Sequence, residues 1–204
     1  MGKIEKLGSV PDLEPYPHSW SKDEKALVAF ENTMAPTYQA NIGMISMEGD
    51  HARKPLLNAK HNEMEPQISP DGQWMAYQSN ESGKDEVYVR PFPDVSRGQW
   101  QVSTNGGDSP LWSPDGQELF YRSGESFIAV DIETEPVFKR GKSQVLFNGR
   151  YSSSIDFFAY VYWDIHPDGK RFLMLKASAA VSPRKINIVL NWLEELRQRV
   201  PASK

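Results

Sequence analysis

Three aspartates of this 204-residue chain recur in one four-residue phrase, and carboxylates at repeated positions are candidates for acid–base chemistry. The phrase is Ser-Pro-Asp-Gly around Asp71 and Asp115, and His-Pro-Asp-Gly around Asp168. Repetition at identical positions indicates a shared structural task, bonding within a turn, more than a catalytic pair. We therefore expect these carboxylates to stabilise turns.

The other reactive residue types form no catalytic pattern. The chain has no cysteine, which excludes disulfides, zinc–thiolate sites and thiol catalysis. Its four histidines, His18, His51, His61 and His166, lack the short spacing of a metal-binding pair. No Gly-x-Ser-x-Gly elbow, dinucleotide-binding glycine motif or phosphate loop occurs. We therefore predict no catalytic residue, no metal and no cofactor, and a protein that is not an enzyme.

Charge and hydropathy exclude further classes of function. The net charge of −4 argues against a nucleic-acid-binding protein, which usually carries a basic face. No run approaches the roughly 18 apolar residues of a membrane span. The first residues lack the apolar core of a signal peptide, which favours a cytoplasmic location; a periplasmic one stays open if the chain is a fragment of a longer protein.

The turn phrase marks an internal repeat. With a degenerate first copy at Asp23, the aspartates of successive copies lie 44 to 53 residues apart. Each copy precedes short runs rich in β-branched and aromatic residues, which indicate strands. Proline presets φ and glycine tolerates positive φ, so the phrase joins two antiparallel strands tightly. A period of about 40–50 residues with several strands per copy is typical of a β-propeller blade.

The repeats predict both the fold and its divisions. Blades are expected at about residues 15–60, 61–105, 106–150 and 151–192, after an N-terminal arm, residues 1–14, that is a candidate closing strand. Residues 193–204 are predicted to form a short C-terminal helix and tail. The fold class is therefore all-β, a β-propeller of about four blades. Three arrangements stay open: the blades close alone, a second chain completes a larger ring, or the chain is a fragment.

A single antiparallel sheet cannot bury both of its faces, so neighbouring sheets must cover one another. Large aromatic side chains are the expected filling between them. The predicted filling residues are Trp20, Trp74, Trp100, Trp112 and Trp163.

The residues from Pro66 to Pro93, with Gln67–Gly72 and Glu86–Pro93 in particular, resemble the TolB-like, WD-repeat-like β-propeller family. The resemblance extends over about residues 15–200. The chain is similar to the C-terminal propeller half of bacterial proteins whose N-terminal half is a kinase or a DNA-binding regulator. The resemblance implies a propeller that binds protein or peptide partners.

The residues just before each inner strand are expected at the mouth of the propeller's central channel, where polar and aromatic groups form a recognition surface. We predict a non-catalytic module for protein or peptide interaction and for self-assembly as a homo-oligomer. The alternative is a small-molecule or carbohydrate-binding, or hydrolytic, propeller with Glu65 and Asp108 facing each other across the channel. The candidate binding residues are Tyr16, His18, Glu63, Glu65, Asp108, Tyr160 and Tyr162.

Overall fold

The structure, a computed structural model, describes residues 13–33, 39–135, 137–152, 161–176 and 187–189. The predicted C-terminal helix, nearly all of the predicted N-terminal arm, and Tyr160 lie outside the described residues. Within the described ranges no helix is long and apolar enough to cross a bilayer. The chain divides into two compact units, Met1–Pro110 and Leu111–Lys204.

The described residues form four antiparallel sheets, one per repeat, which confirms the all-β prediction. In each sheet the strands follow one another in chain order, so every connection joins neighbouring strands. A 3-10 turn, Val95–Arg97, is the single helical element described. The strands, sheet by sheet, are β1 (Glu14–Trp20), β2 (Ala26–Thr33), β3 (Gln39–Ser46) and β4 (Arg53–Leu57); β5 (Glu63–Ile68), β6 (Trp74–Ser79), β7 (Glu86–Pro91) and β8 (Trp100–Gln101); β9 (Asp108–Trp112), β10 (Glu118–Ser123), β11 (Ser126–Glu133) and β12 (Lys139–Asn148); and β13 (Trp163–Ile165), β14 (Phe172–Met174) and β15 (Asn187–Val189).

The repeated turn joins the first two strands of each sheet through its own side chains. The Ser113 hydroxyl donates to Asp115 Oδ1 at 2.7 Å and accepts from the Glu118 N–H at 2.9 Å. Asp115 Oδ1 also accepts from the Gln117 N–H at 3.1 Å. The Ser113 hydroxyl, followed by that N–H, holds the pKa of Asp115 below its ordinary value. The same bonds recur at Ser21–Asp23 and Ser69–Asp71, which confirms the turn-bonding prediction.

The fourth copy keeps the turn with histidine in place of serine. Asp168 accepts from the Lys170 N–H at 2.9 Å, and the Asp168 N–H donates to His166 Nδ1 at 3.2 Å. Gly169 has a φ of +70°, as expected for the last position of this turn, where a side chain would be strained. His166 therefore has a structural role in this turn.

Each unit has its own apolar core between sheets. In the first unit, Val28 and Ile42 of the first sheet pack with Met75, Tyr77 and Tyr88 of the second. In the second unit the core is mainly aromatic. Its rings, whose centroids lie 4.6–6.1 Å apart, belong to Phe120, Phe127, Phe147, Trp163 and Phe172.

The tryptophan prediction is correct for Trp112 and Trp163, which are 5% and 6% exposed. Trp74 and Trp100 are half-buried against each other, edge to face at 5.6 Å. The prediction is wrong for Trp20, which is 53% exposed. Trp20 stands opposite Leu27, one residue out of phase with Val28, so its ring lies on the face of the first sheet that is turned away from the second.

Candidate functional site

Two hydrogen bonds connect β5 with β1 and with the start of β9. The Ile68 N–H of β5 donates to Ser19 Oγ of β1 at 3.1 Å. The Ser109 N–H of β9 donates to Glu65 Oε2 of β5 at 2.7 Å. Five predicted binding residues lie on these three strands: Tyr16, His18, Glu63, Glu65 and Asp108. We call these five side chains together the first-strand surface.

Local irregularities of the backbone in these strands shape the surface. Glu65 and Ser109 occupy the same repeat position, each directly before a proline, with φ of +55° and +52°. The pairing of β5 with β6 shifts between Met64 and Gln67, and that of β1 with β2 shifts at His18. Positive φ is strained for residues other than glycine, and such outliers often mark functional positions. Bulges re-aim side chains, so these bulges direct polar groups where a regular strand would not.

The first-strand surface is acidic. Glu63, Glu65 and Asp108 are 4%, 1% and 8% exposed. β1, β5 and β9 contain no lysine or arginine. Tyr16 and His18 are half-buried, with centroids 4.7 Å and 5.7 Å from the Phe30 ring. The surface therefore combines carboxyl groups with aromatic rings.

The fold changes the protonation of Glu63 near neutral pH. Burial raises the pKa of Glu63 to about 7. The hydrogen bond that its carboxyl accepts from the Ala59 N–H partly opposes this rise. The neighbouring Glu81 raises the pKa further, and Arg90 lowers it. A carboxyl group that exchanges its proton near pH 7 is suited to binding or proton transfer.

A polar network adjoins Glu63 that sequence reasoning did not find. The Arg90 guanidinium donates to the Tyr77 hydroxyl at 2.9 Å, to the Val95 carbonyl at 2.9 Å and to Gln99 Oε1 at 2.7 Å. Gln99 in turn donates to Glu81. Burial raises the pKa of Tyr77, so it remains a phenol. The network anchors Arg90 beside the site.

Asn32 is a second residue that the sequence reasoning missed. It is 1% exposed, and neither atom of its side-chain amide has a hydrogen-bond partner in the described part of the chain. Glu63 Oε2 is also buried and has no hydrogen-bond partner in the described part of the chain. The one sequence signal is the pair Glu31–Asn32, which follows five apolar residues within β2.

The remaining predicted residues contribute less to the candidate site. Tyr162 is half-buried before β13 in the second unit, where its carbonyl accepts from the Leu175 N–H at 3.2 Å. The Glu65 carboxylate bonds to Ser109, the residue next to Asp108, rather than standing alone. The described histidines and carboxylates do not gather three at a time into a metal-binding group.

Solved structures share this arrangement of sheets. TolB from Acinetobacter baumannii superposes with a TM-score of 0.61 and 18% identity, over 89% of this chain and 42% of that one. An oligogalacturonate lyase in complex with manganese gives 0.61 and 13%, over 88% and 52%. A puromycin-hydrolysing peptidase of Mycobacterium tuberculosis gives 0.63 and 18%, over 80% and 28%. No protein-family model and no curated protein matches the chain.

The chain therefore has a β-propeller fold, as predicted. More particularly, the fold is that of the TolB-like propellers, in agreement with the sequence resemblance. The chain spans about half or less of the length of the three structures. Because the neighbours include both TolB and enzymes, the shared fold leaves the choice of function to the site.

Proposed function

We propose that the protein is a non-catalytic β-propeller module that binds a protein or peptide partner at the first-strand surface. The supporting observation is the pair of hydrogen bonds, from the Ile68 N–H to Ser19 Oγ and from the Ser109 N–H to Glu65 Oε2, that connects the strands carrying these carboxyl and aromatic groups. Aromatic groups anchor peptides at low entropic cost, and buried polar groups set specificity.

The test is selection of peptides from a display library on the purified protein, followed by calorimetric titration of the selected peptides. Tyr16→Ala removes a ring of the surface and should weaken binding at least about tenfold, as expected for an anchor residue. Trp20→Ala, which removes an exposed ring on the other face of the first sheet, is the matched control. Equal affinity of both variants, each with the wild-type unfolding midpoint, would contradict the proposal.

Self-association is part of the same proposal, with a second copy completing the ring of blades. Light scattering behind size-exclusion chromatography measures the mass directly. A strictly monomeric mass at high protein concentration would remove self-assembly and leave peptide binding in place.

A second candidate function is a small-molecule or carbohydrate-binding, or hydrolytic, propeller. One observation favours it: the pKa of Glu63 near 7 makes this carboxyl a competent acid, and Glu81 is near enough to raise that pKa. Glycoside hydrolysis uses a carboxyl group with a raised pKa as its general acid. Turnover of chromogenic glycosides by wild type, abolished in Glu63→Gln, would replace the interaction module with this function.

A further inference from the structure

Asn32 and Glu63 lie on two surfaces that face each other. Val28 and Tyr77 belong to one core cluster, so the β2 face with Val28 packs against the β6 face with Tyr77. The β2–β3 ladder is regular from residue 26 to 33, so Asn32, four residues after Val28, shares that face. Glu63 stands opposite Ser79, which shares the face of Tyr77.

The two residues also lie at the same level along the strands. Ala40 stands opposite Asn32 in the first sheet. The Ala40 N–H donates to Asn62 Oδ1 at 3.1 Å, and Asn62 directly precedes Glu63. The end of β2 therefore meets the start of β5 across what we call the inter-sheet gap, bounded by Asn32 and Glu63.

The inter-sheet gap holds polar atoms with unused hydrogen-bonding capacity. Asn32 Nδ2 and Oδ1 and Glu63 Oε2 are buried and have no partner among the described residues. A buried polar group without a partner destabilises the fold, and native proteins rarely leave several such groups together. One donor and two acceptors at one level between two sheets point to a bound group that supplies them.

The charges around the gap determine the kind of group. Arg90 is the cation that acts on Glu63, and its guanidinium already donates to three acceptors of the protein. Two acidic residues of the described part of the chain are also near: Glu81 acts on Glu63, and Glu14 stands opposite Asn32 in β1. An added cation is therefore favoured over an added anion.

We propose that the inter-sheet gap binds a cationic donor group, the guanidinium or ammonium of a basic side chain in the peptide partner. This inference rests on the proposed function and names the chemistry of the partner. A guanidinium donates to Glu63 Oε2 and to Asn32 Oδ1 together, and Asn32 Nδ2 donates to a carbonyl of the same peptide. Tyr16, opposite Phe30, lies on the Asn32 face of the first sheet and offers its ring to the cation.

Two fluorescent hexapeptides of identical length test the proposal, one with three arginines and one with three citrullines, which keep the shape and lose the charge. Anisotropy is measured near pH 8, where the Glu63 carboxyl has released its proton, and at about 150 mM salt to screen long-range attraction to the acidic protein. Wild type should prefer the arginine peptide at least about tenfold, the worth of a hydrogen bond to a charged group. Glu63→Gln and Asn32→Leu should each remove most of that preference.

Glu48→Gln is the matched control, because it changes the net charge as Glu63→Gln does, at a carboxyl that is 66% exposed. It should keep the wild-type preference. Equal affinity of wild type for both hexapeptides would mean that the gap holds only water, which overturns the cationic inference and leaves the peptide-binding function standing. If library-selected peptides also fail to bind, the proposed function fails with it. A preference that survives in Glu63→Gln places the cation elsewhere and overturns the site.

Discussion

Replacing Glu63 by glutamine should change how the stability of the protein depends on pH. The folded protein holds the Glu63 proton up to about pH 7, because burial raises the pKa from 4.5 to about 7. The unfolded chain releases that proton near its ordinary pKa. Between these two values the folded state binds more protons than the unfolded state, so the free energy of unfolding falls as the pH rises.

The magnitude follows from the two pKa values. Burial of the Glu63 carboxyl lowers the free energy of unfolding by roughly 3 kcal/mol once the pH exceeds 7. Below about pH 4.5 the carboxyl is protonated in both states and this loss is absent. The groups that face Glu63 act within this total: Glu81 adds to the rise in pKa, and Arg90 and the Ala59 N–H oppose it.

Glu63→Gln is neutral at every pH and nearly the same shape, so the loss should vanish. We expect wild type and variant to be similarly stable near pH 4.5, and the variant to be more stable by about 2–3 kcal/mol near pH 8. Urea unfolding followed by tryptophan fluorescence across that range measures both curves. The Glu63 carboxyl carbon, followed by nuclear magnetic resonance, should titrate near pH 7 in the folded protein.

Glu48→Gln, at an exposed carboxyl, should keep the wild-type slope and serves as the control. The reasoning is refuted if wild type shows no loss of stability between pH 4.5 and 7, or if Glu63→Gln loses stability with the same slope as wild type. A Glu63 carbon that titrates near pH 4.5 would refute it independently of any stability measurement.

Three further substitutions test the fold around the site. Ser113→Ala removes the hydroxyl that bridges the turn, and should lower the free energy of unfolding by about 1–2 kcal/mol in urea titrations. An unchanged urea midpoint would show that these turn bonds do not stabilise the fold. Glu65→Ala leaves the Ser109 N–H without its acceptor and should speed hydrogen exchange at that amide, whereas unchanged protection would show that the bond between β5 and β9 is dispensable. Gly43→Ala would bring a Cβ into the buried Glu31 carboxylate, so it should lower the thermal midpoint, with a loss of about 1–3 kcal/mol in the free energy of unfolding; an unchanged midpoint would mean that the carboxylate moves aside without cost.

The turns and strands could be predicted because their causes are local. In Ser-Pro-Asp-Gly the serine, the aspartate and the backbone they bond lie within six residues, as Ser69, Asp71 and Trp74 show. Because the turn recurs in every repeat, the same local prediction applies to each of the four sheets. Gly141 shows the limit of local signals: glycine is typical of turns, yet Gly141 lies within β12, where an added Cβ would come within 2.9 Å of the Asp131 side chain.

The sequence by itself therefore determined the all-β class, the repeat and the residues that begin the first strand of each sheet. Tertiary structure decided what those residues do. The burial of Asn32, the raised pKa of Glu63 and the bond between Glu65 and Ser109 all depend on which sheet faces which. The physical reason is that strand propensity and turn chemistry act over a few neighbouring residues. Desolvation and unsatisfied hydrogen bonds arise only when faces distant in sequence exclude water from each other.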